Sequence, residues 1–423
     1  MIIRERQKSR IGSIARACRI VGRMNKNDPD NHKSELYHYD MLATYFERLQ
    51  KAENEKTPIA GHTVFFPIEI LYAMDITPLH TETVTLLTAL FMGNPTDYLA
   101  AGAELKLAPE ICSPHRALAG AYSLGIFPRP DVMLWSNLIC DNSAKSGELI
   151  AEMNQCPPFF LEHAFGSSTE EIDYLVAEMQ DLIAFLEKET GHKMDWNKLS
   201  ESVERSDRQL QLLNEICELR KAVPSPLYNR AYLESRAADQ LFAGQPEATA
   251  YLETIRDELK EMVSQKKGAV EPERFRIMTL FIPPMHLVGF LDKSLKSHGA
   301  VSVVEPFFTY WEECRLDPSK PLESLAKKYY AAPERRTLYG PLGDETIRTL
   351  VNCAREYKVD GAIYYAFIGC RQSNALIKLF KDELNKIDVP VLTLDIDLVD
   401  TTVNNESEIQ QKMEQFFELL EDR

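Results

Sequence analysis

The chain has 423 residues and a mass of 48.3 kDa, with 44% apolar and 26% charged residues, which is typical of a globular protein of about two or three domains. Its 64 acidic residues outnumber 48 basic ones, and the net charge of −16 argues against broad binding to nucleic acid or to an anionic membrane. No stretch reaches the roughly 18 consecutive apolar residues of a membrane span. No apolar segment follows the basic N-terminus, as it would in a secretory signal. We therefore expect a cytoplasmic protein.

The cysteine content excludes a disulfide scaffold. Eight cysteines in a chain of this length are expected to be thiols, metal ligands or nucleophiles in a reducing compartment. No pair has Cys-x-x-Cys spacing, and the sequence lacks the Walker A, Gly-x-Gly-x-x-Gly, His-Glu-x-x-His and Gly-x-Ser-x-Gly motifs. Any functional site must therefore be assembled from distant segments.

Residues 1–60 predict an N-terminal helical segment that begins with a strongly basic helix. Its apolar edge is formed by Ile11, Ile14, Cys18 and Val21. In the first 26 residues the basic side chains, opposed only by Glu5, are Arg4, Arg6, Lys8, Arg10, Arg16, Arg19, Arg23 and Lys26. The helix either packs on its own lobe with a solvated basic face or serves as a docking arm for an acidic partner.

Short runs rich in β-branched and aromatic residues predict buried parallel strands, because each is followed by a turn and a helical pattern. They occupy residues 62–66, 132–137, 158–162, 275–282, 301–306, 361–367 and 390–398. These runs fall into two groups, which predicts an α/β protein with two Rossmann-like or flavodoxin-like parallel-sheet lobes. The first lobe is expected at residues 61–168, and the second, with a C-terminal helix, at residues 272–423.

Residues 169–271 separate the two lobes and predict a helical connector. This segment is mostly polar, with apolar residues at the three-four spacing of an amphipathic helix. The clearest stripe is Ile172, Leu175, Val176, Met179, Leu182, Ile183 and Leu186.

Three cysteines lie at loop-to-helix junctions. Cys140 follows the strand predicted at 132–137, Cys370 follows the strand at 361–367, and Cys112 precedes Ser113 and Pro114 at the start of a helix. Ligands of open parallel sheets bind beyond the carboxyl ends of the strands, where helix N-termini offer free N–H groups. Such junctions lower the pKa of a thiol, and three thiolates meeting there could hold a metal centre.

The other cysteines divide into core residues and weaker ligand candidates. Cys18, Cys217 and Cys353 fall inside predicted helices, as buried thiols do. Cys156 precedes its strand, which places it at the opposite end of the sheet. Cys314 follows the strand at 301–306 at the favourable end.

Four segments resemble the 2-hydroxyacyl-CoA dehydratases and ATP-dependent benzoyl-CoA reductases, in particular their α-type subunit. Phe-Phe-Pro-Ile-Glu-Ile-Leu-Tyr-Ala-Met-Asp-Ile-Thr-Pro at 65–78 is similar to the opening segment of the family. Glu-Ile-Cys-Ser at 110–113, Leu-Ile-Cys-Asp-Asn at 138–142 and Gly-Cys-Arg-Gln-Ser-Asn at 369–374 resemble its three ligand loops. The run Val-Pro-Val-Leu-Thr-Leu-Asp-Ile-Asp-Leu-Val-Asp at 389–400 resembles its terminal strand.

The resemblance implies an enzyme with a [4Fe-4S] cluster held by Cys112, Cys140 and Cys370, with one iron open to substrate. It also implies a related β-type subunit, an acyl-CoA substrate and a separate ATP-hydrolysing iron-sulfur activator that supplies a low-potential electron. The missing Walker A motif agrees with ATP being handled by that activator. Such an enzyme is expected to work anaerobically, as a dimer of subunits.

Departures from the family pattern leave alternatives open. Asp-Asn-Ser-Ala-Lys-Ser follows the second cysteine instead of a glycine and lysine run, and Thr401-Thr402-Val403 replaces the usual Pro-Arg and aromatic. One alternative is a homodimer with a double-cubane [8Fe-9S] cluster that reduces small molecules, for which Cys156, Cys314 and Cys353 would be extra ligands. Another is a cluster-free binding or scaffold protein with the same fold.

Several polar residues near the predicted site are candidates for catalysis or binding. His115 and Arg116 lie one helical turn from Cys112, and His286 follows the strand at 275–282 at the end suited to proton transfer. Surface pairing or a structural role is the alternative for each, as it is for Arg371. A basic group, Lys327, Lys328, Arg335 and Arg336, could meet coenzyme A phosphates or form a solvated face.

Overall fold

The computed structural model of the protein describes residues 9–25, 33–92, 95–137, 140–227, 229–309, 314–337 and 344–423. Its strands are β1 Ile59–His62, β2 Thr77–His80, β3 Val132–Ser136, β4 Pro158–Leu161, β5 Phe275–Leu280, β6 Ala300–Val304, β7 Gly361–Phe367 and β8 Val391–Ile396. Helices up to β4 are α1 Ile11–Asn25, α2 Lys33–Glu55, α3 Ile68–Ala73, α4 Thr81–Met92, α5 Pro95–Glu104, α6 Ser113–Ser123 and α7 Asp141–Asn154. The later helices are α8 Thr169–Thr190, α9 Trp196–Leu219, α10 Asn229–Ser235, α11 Ala237–Phe242, α12 Pro246–Ser264, α13 Val288–Ser297, α14 Pro321–Ala331, α15 Pro333–Thr337, α16 Asp344–Glu356, α17 Arg371–Asn385 and α18 Glu406–Glu421.

The strands form two parallel four-stranded sheets with the same topology. The orders are β2-β1-β3-β4 and β6-β5-β7-β8. In each sheet the second strand lies on one side of the first strand and the third strand lies on the other side, so the strand order reverses between the first and third strands. The prediction of an α/β protein with two parallel-sheet lobes is confirmed. The crevice beyond the carboxyl ends of the strands at such a reversal is where open sheets bind ligands.

The first sheet differs from the prediction at two strands. The strand predicted at 62–66 lies at Ile59–His62, and residues 63–66 form a loop in which Phe65 has a φ of +54°. Strand β2, which contains Pro78, was not predicted. Proline is tolerated there because β2 is an edge strand, which needs backbone donors on one side only. The other six strands lie within two residues of their predicted ends.

Helix α1 packs on the first lobe through the apolar edge seen in the sequence. Ile11, Ile14 and Cys18 are fully buried, and the guanidinium of Arg19 pairs with Asp40 and Glu47 of α2. This packing favours the first of the two alternatives for the basic helix. Four of the basic residues counted in the first 26 positions, Arg4, Arg6, Lys8 and Lys26, lie outside the described residues.

Two hydrophobic cores underlie the two sheets, and the larger one extends well beyond the first sheet. The buried faces of α8, α9 and α12 pack in the first core, as the amphipathic stripe on α8 predicts. Helix α14, which follows β6 in the chain, packs there too through Leu325 and Tyr329. The second core lies beneath β5–β8 and α18. The domain boundaries at 60, 168 and 271 stay predictions.

Among the described residues, no helix combines the length and the apolar character that crossing a bilayer requires.

Candidate metal centre

Three cysteines occupy the N-cap positions of three helices. Cys112 caps α6, Cys140 caps α7, and Cys370 caps α17. Cys140 and Cys370 follow β3 and β7, the strands beside the reversal points of their sheets. The Sγ atom of Cys370 accepts a hydrogen bond from the Ser373 N–H at 3.4 Å, as expected where the first turn of a helix leaves its N–H groups without backbone partners.

Contacts between the loops show that the three cysteines come together from both lobes. Gly369 has a φ of +84°, and a Cβ built on it would lie 3.1 Å from the Cα of Cys112. The site therefore requires glycine before Cys370, both for its backbone conformation and for the close approach of the Cys112 loop. On the other side, the Nε2 atom of His115 lies 3.9 Å from the Sγ of Cys140.

The thiols influence one another electrostatically. Burial raises the pKa of Cys112 above its ordinary value, and the negative charges that Cys370 and Cys140 would carry raise it further. Burial also raises the pKa of Cys140 and Cys370, while backbone N–H groups at their helix N-termini oppose the shift. Three thiolates here would repel one another, and a cationic iron centre would relieve that repulsion.

The three thiols are donors of the kind that an iron-sulfur cluster takes. None of the eight cysteines, all within the described part of the chain, is in a disulfide, and these three are partly buried. Among the described residues, no three His, Cys, Asp or Glu side chains are close enough to share one ion. The ligands of a cluster bind different irons and need not approach so closely. Soft thiolates are the donors that iron-sulfur clusters require.

A buried carboxylate connects the two lobes beside Cys112. The Ser113 hydroxyl, in the first turn of α6, donates to Asp397 in the loop after β8. The same Asp397 oxygen accepts the N–H groups of Val399 at 2.9 Å and Asp400 at 2.7 Å. Asp397 therefore fixes the loop after β8 and the N-terminus of α6 relative to each other.

His115 and Arg116 lie on α6 as predicted, and both side chains make hydrogen bonds within the chain. The Nδ1 of His115 lies 3.0 Å from the Ser146 hydroxyl, and that hydroxyl donates its own proton to the Ser143 carbonyl. The hydroxyl must therefore accept from Nδ1, so Nδ1 carries the ring proton. The lone pair of Nε2 then points towards Cys140. Burial lowers the pKa of His115 to about 4. The Arg116 guanidinium donates to the Ile111 carbonyl and holds the loop before Cys112.

His286 lies in the second lobe, in a short 3₁₀ helix Met285–Leu287 after β5. Its Nε2 accepts a hydrogen bond from the Asn404 amide at 2.8 Å, and the ring also interacts with the Leu398 backbone. These contacts tie it to the loop that contains Asp397. A catalytic role for His286 stays a prediction. Arg371, next to Cys370, is exposed.

Comparisons with known proteins show the family of the chain. Residues 63–420 match the family model described as 2-hydroxyglutaryl-CoA dehydratase, D-component. The chain belongs to this family. The (R)-2-hydroxyisocaproyl-CoA dehydratase alpha subunit of Clostridioides difficile is 24% identical over 402 residues, covering 91% of this chain and 95% of the relative. A subunit of the benzoyl-CoA reductase of Thauera aromatica is 24% identical over 314 residues, covering 70% and 72%. The alpha subunit of the (R)-2-hydroxyglutaryl-CoA dehydratase of Acidaminococcus fermentans is 23% identical over 304 residues, covering 70% and 61%.

The resemblance seen in the sequence is thus confirmed, and the protein is a member of an enzyme family of CoA-ester dehydratases and reductases.

The structure adds a buried carboxyl group that the sequence did not reveal. Glu82, in the first turn of α4 after β2, accepts hydrogen bonds from the Val64 N–H and from the Ser143 hydroxyl of α7. Its charge acts on Cys140, so it lies beside the cysteine site of this dehydratase-family chain. The missed strand β2 explains the omission, because a strand at Thr77–His80 places Glu82 at a strand-to-helix junction.

The other cysteines interact elsewhere. Cys156 caps no helix, and its Sγ contacts the Ala151 carbonyl. It precedes β4, so it lies at the amino ends of the parallel strands, whereas Cys140 lies at their carboxyl ends. Cys353 is buried within α16 in the second core. Cys314 packs partly buried against the first core, and its charge acts on Lys327. Cys18 and Cys217 are fully buried core residues, as predicted.

The basic group predicted near residues 327–336 is not an open anion-binding face. Lys328 pairs with buried Glu69 at 2.5 Å, and Lys327 pairs with Glu323 at 2.6 Å. The Arg335 guanidinium is buried and donates to the backbone carbonyls of residues 164 and 165. Arg336 pairs with Glu345. Each cation is therefore already engaged within the chain.

Proposed function

We propose that the chain is the iron-sulfur subunit of an enzyme of the 2-hydroxyacyl-CoA dehydratase or benzoyl-CoA reductase type, with Cys112, Cys140 and Cys370 as ligands of one [4Fe-4S] cluster. When bound, this cluster supplies single electrons at low potential for the reaction of an acyl-CoA thioester. The observation that carries the proposal is that three cysteine-capped helix N-termini, drawn from both lobes, meet at one place.

The protein's own groups hold this site and manage protons. Arg116 and Asp397 fix the loops on either side of Cys112. We assign proton exchange with the substrate to Glu82, since its carboxyl is buried, held from two sides and adjacent to Cys140.

A single cluster implies partners that complete the enzyme. The relatives are themselves named as subunits of larger enzymes, which supports a related β-type chain as the partner. We propose in addition a separate ATP-hydrolysing iron-sulfur activator as the electron donor. The separate locations of Cys156 and Cys353 favour one [4Fe-4S] cluster over a double cubane in a homodimer.

Iron and acid-labile sulfide in anaerobically purified protein test the proposal directly. We expect about four irons per chain. Serine variants of Cys112, Cys140 and Cys370 should each lose most of the iron, because serine removes a soft donor. Serine variants of the buried Cys18 and Cys217 serve as matched controls and should keep it.

Three outcomes would contradict the proposal. A colourless wild-type chain without iron would favour a cluster-free binding protein. Full iron occupancy in Cys370→Ser would refute the ligand assignment. About eight irons in a self-sufficient homodimer would favour the double cubane.

A further inference from the structure

A cavity lies at the carboxyl ends of β1 and β2, between the loop that follows β1 and helices α11 and α14. Its volume is about 50 Å³, which suits a small polar group, and its walls include His62, Glu69, Asp239, Lys328 and Tyr329. The Tyr329 hydroxyl donates to the Phe65 carbonyl and contacts the Ser136 hydroxyl at the end of β3. The loop at 63–67 thus separates this cavity from Glu82, whose carboxyl accepts the Val64 N–H.

The cavity wall contains a buried acceptor without a partner. His62 is 1% exposed, and its Nδ1 bonds the Thr63 carbonyl at 2.9 Å, which requires the proton to be on Nδ1. Its Nε2 therefore carries a lone pair, and that buried atom has no hydrogen-bond partner. Burial lowers the pKa of His62 to about 4, so the ring is neutral at pH 7 and cannot donate from Nε2.

A second unpartnered acceptor lies in the same wall. The Oδ2 of Asp239 pairs with Arg236 at 3.1 Å, whereas its Oδ1 is buried without a hydrogen bond. The ammonium of Lys328 already bonds Glu69, so both cations near the cavity, Lys328 and Arg236, are committed to carboxylates. Buried acceptors left unpaired are costly, which calls for a ligand that donates hydrogen bonds.

We propose that this cavity binds a hydrogen-bond-donating group of the acyl-CoA substrate, a hydroxyl or an N–H, and rejects a carboxylate. The inference rests on the proposed function and deepens it by defining the substrate class. A single metal ion does not fit, since no three such side chains among the described residues can share one. A carboxylate would face the unpartnered acceptors of His62 and Asp239, and the charge of Lys328 is already balanced by Glu69. The donating group is either the far end of the acyl chain or an amide of the pantetheine arm.

The test compares the binding of three CoA esters that share a five-carbon acyl chain and lack the 2-hydroxyl group. These are pentanoyl-CoA, 5-hydroxypentanoyl-CoA and glutaryl-CoA, measured by calorimetry with the anaerobically purified protein, alongside free coenzyme A. We expect 5-hydroxypentanoyl-CoA to bind about tenfold more tightly than glutaryl-CoA. His62→Leu should abolish that preference and leave pentanoyl-CoA unaffected, and His62→Gln, which retains an acceptor, should restore part of it.

Free coenzyme A identifies the source of the donor. If the pantetheine arm supplies it, His62→Leu weakens coenzyme A and all three esters alike. Equal affinities of the esters for the wild type, together with unchanged coenzyme A binding in His62→Leu, overturn the inference while leaving the proposed function standing. If the iron-loaded protein binds none of the four compounds, the proposed function itself fails.

Discussion

At Glu82, burial and hydrogen bonding act on one carboxyl group in opposite directions. Burial raises the pKa, the Ser143 hydroxyl and the Val64 N–H lower it, and the result is about 7. We expect Glu82→Gln, which keeps the shape of the side chain, to retain iron but to lose turnover of an acyl-CoA substrate by about a hundredfold. The control is Glu104→Gln, at an exposed position at the end of α5. Equal turnover in the two variants would remove Glu82 from the proton path.

Glu69 shows how a distant partner decides the charge of a buried residue. Burial alone would raise its pKa, but the Lys328 ammonium and the Ser206 hydroxyl hold it below the ordinary 4.5. The ionised carboxylate therefore stabilises the fold above about pH 4.5, and that contribution is lost as the pH falls through the lowered pKa.

Glu69→Gln removes the carboxylate that bonds the buried Lys328 ammonium, so we expect a loss of about 3 kcal/mol in the free energy of unfolding at pH 7. The difference from wild type should shrink as the pH falls below about 4.5. Urea denaturation across this range measures it. Glu323→Gln, which breaks the exposed pair with Lys327, should hardly change stability at any pH. A deficit of the Glu69 variant that is independent of pH would contradict the argument.

At the scale of elements, the position of Cys112 depends on how closely α6 packs on α5. A Cβ built on Gly120 would lie 1.9 Å from the Tyr98 carbonyl, and one on Gly102 would lie 2.4 Å from that of Arg116. Both neighbours are backbone atoms, which cannot move without shifting a helix. Glycine is therefore required at this crossing by space rather than by backbone conformation.

Gly120→Ala should push α6 away from α5, lower the melting temperature by several degrees and reduce iron retention. Gly289→Ala is the matched control: nothing lies within 4 Å of a Cβ at that position in α13, and alanine favours a helix by about 1 kcal/mol. Calorimetry and iron analysis of the two variants test this. Equal melting temperatures would show that the two helices adapt to the methyl group.

The elements themselves were largely predictable from local pattern. The stripe on α8 and the strands β3 and β7 follow from apolar periodicity. Strand β2 could not be predicted in this way, because the acceptability of Pro78 depends on whether the strand is at an edge. Cys140 and Cys370 could be placed at strand-to-helix junctions from the sequence. The position of Glu82 at such a junction could not be recognised, because the preceding strand β2 was not predicted.

At the scale of the whole molecule, Asp397 joins two lobes that are far apart in the chain. Asp397→Ala would leave the Ser113 hydroxyl and two backbone N–H groups without their acceptor. We expect a loss of about 2 kcal/mol in stability and faster release of iron, since the Cys112 loop loses its attachment to the second lobe. Asp395→Ala, at an exposed position of β8, should change neither. Identical iron release in both variants would argue against this link.

The sequence by itself determined the α/β class, most helices and strands, and three cysteines at helix starts, because these follow from periodicity and capping within a few residues. Only the tertiary structure decided that both sheets share one strand order, that α14 packs in the first core, and that Glu69 pairs with Lys328 across 259 positions. Those features depend on which surfaces fit together once the chain is compact. The local sequence pattern carries no information about which surfaces pack together. The cavity beside β1 and β2 is formed by that packing.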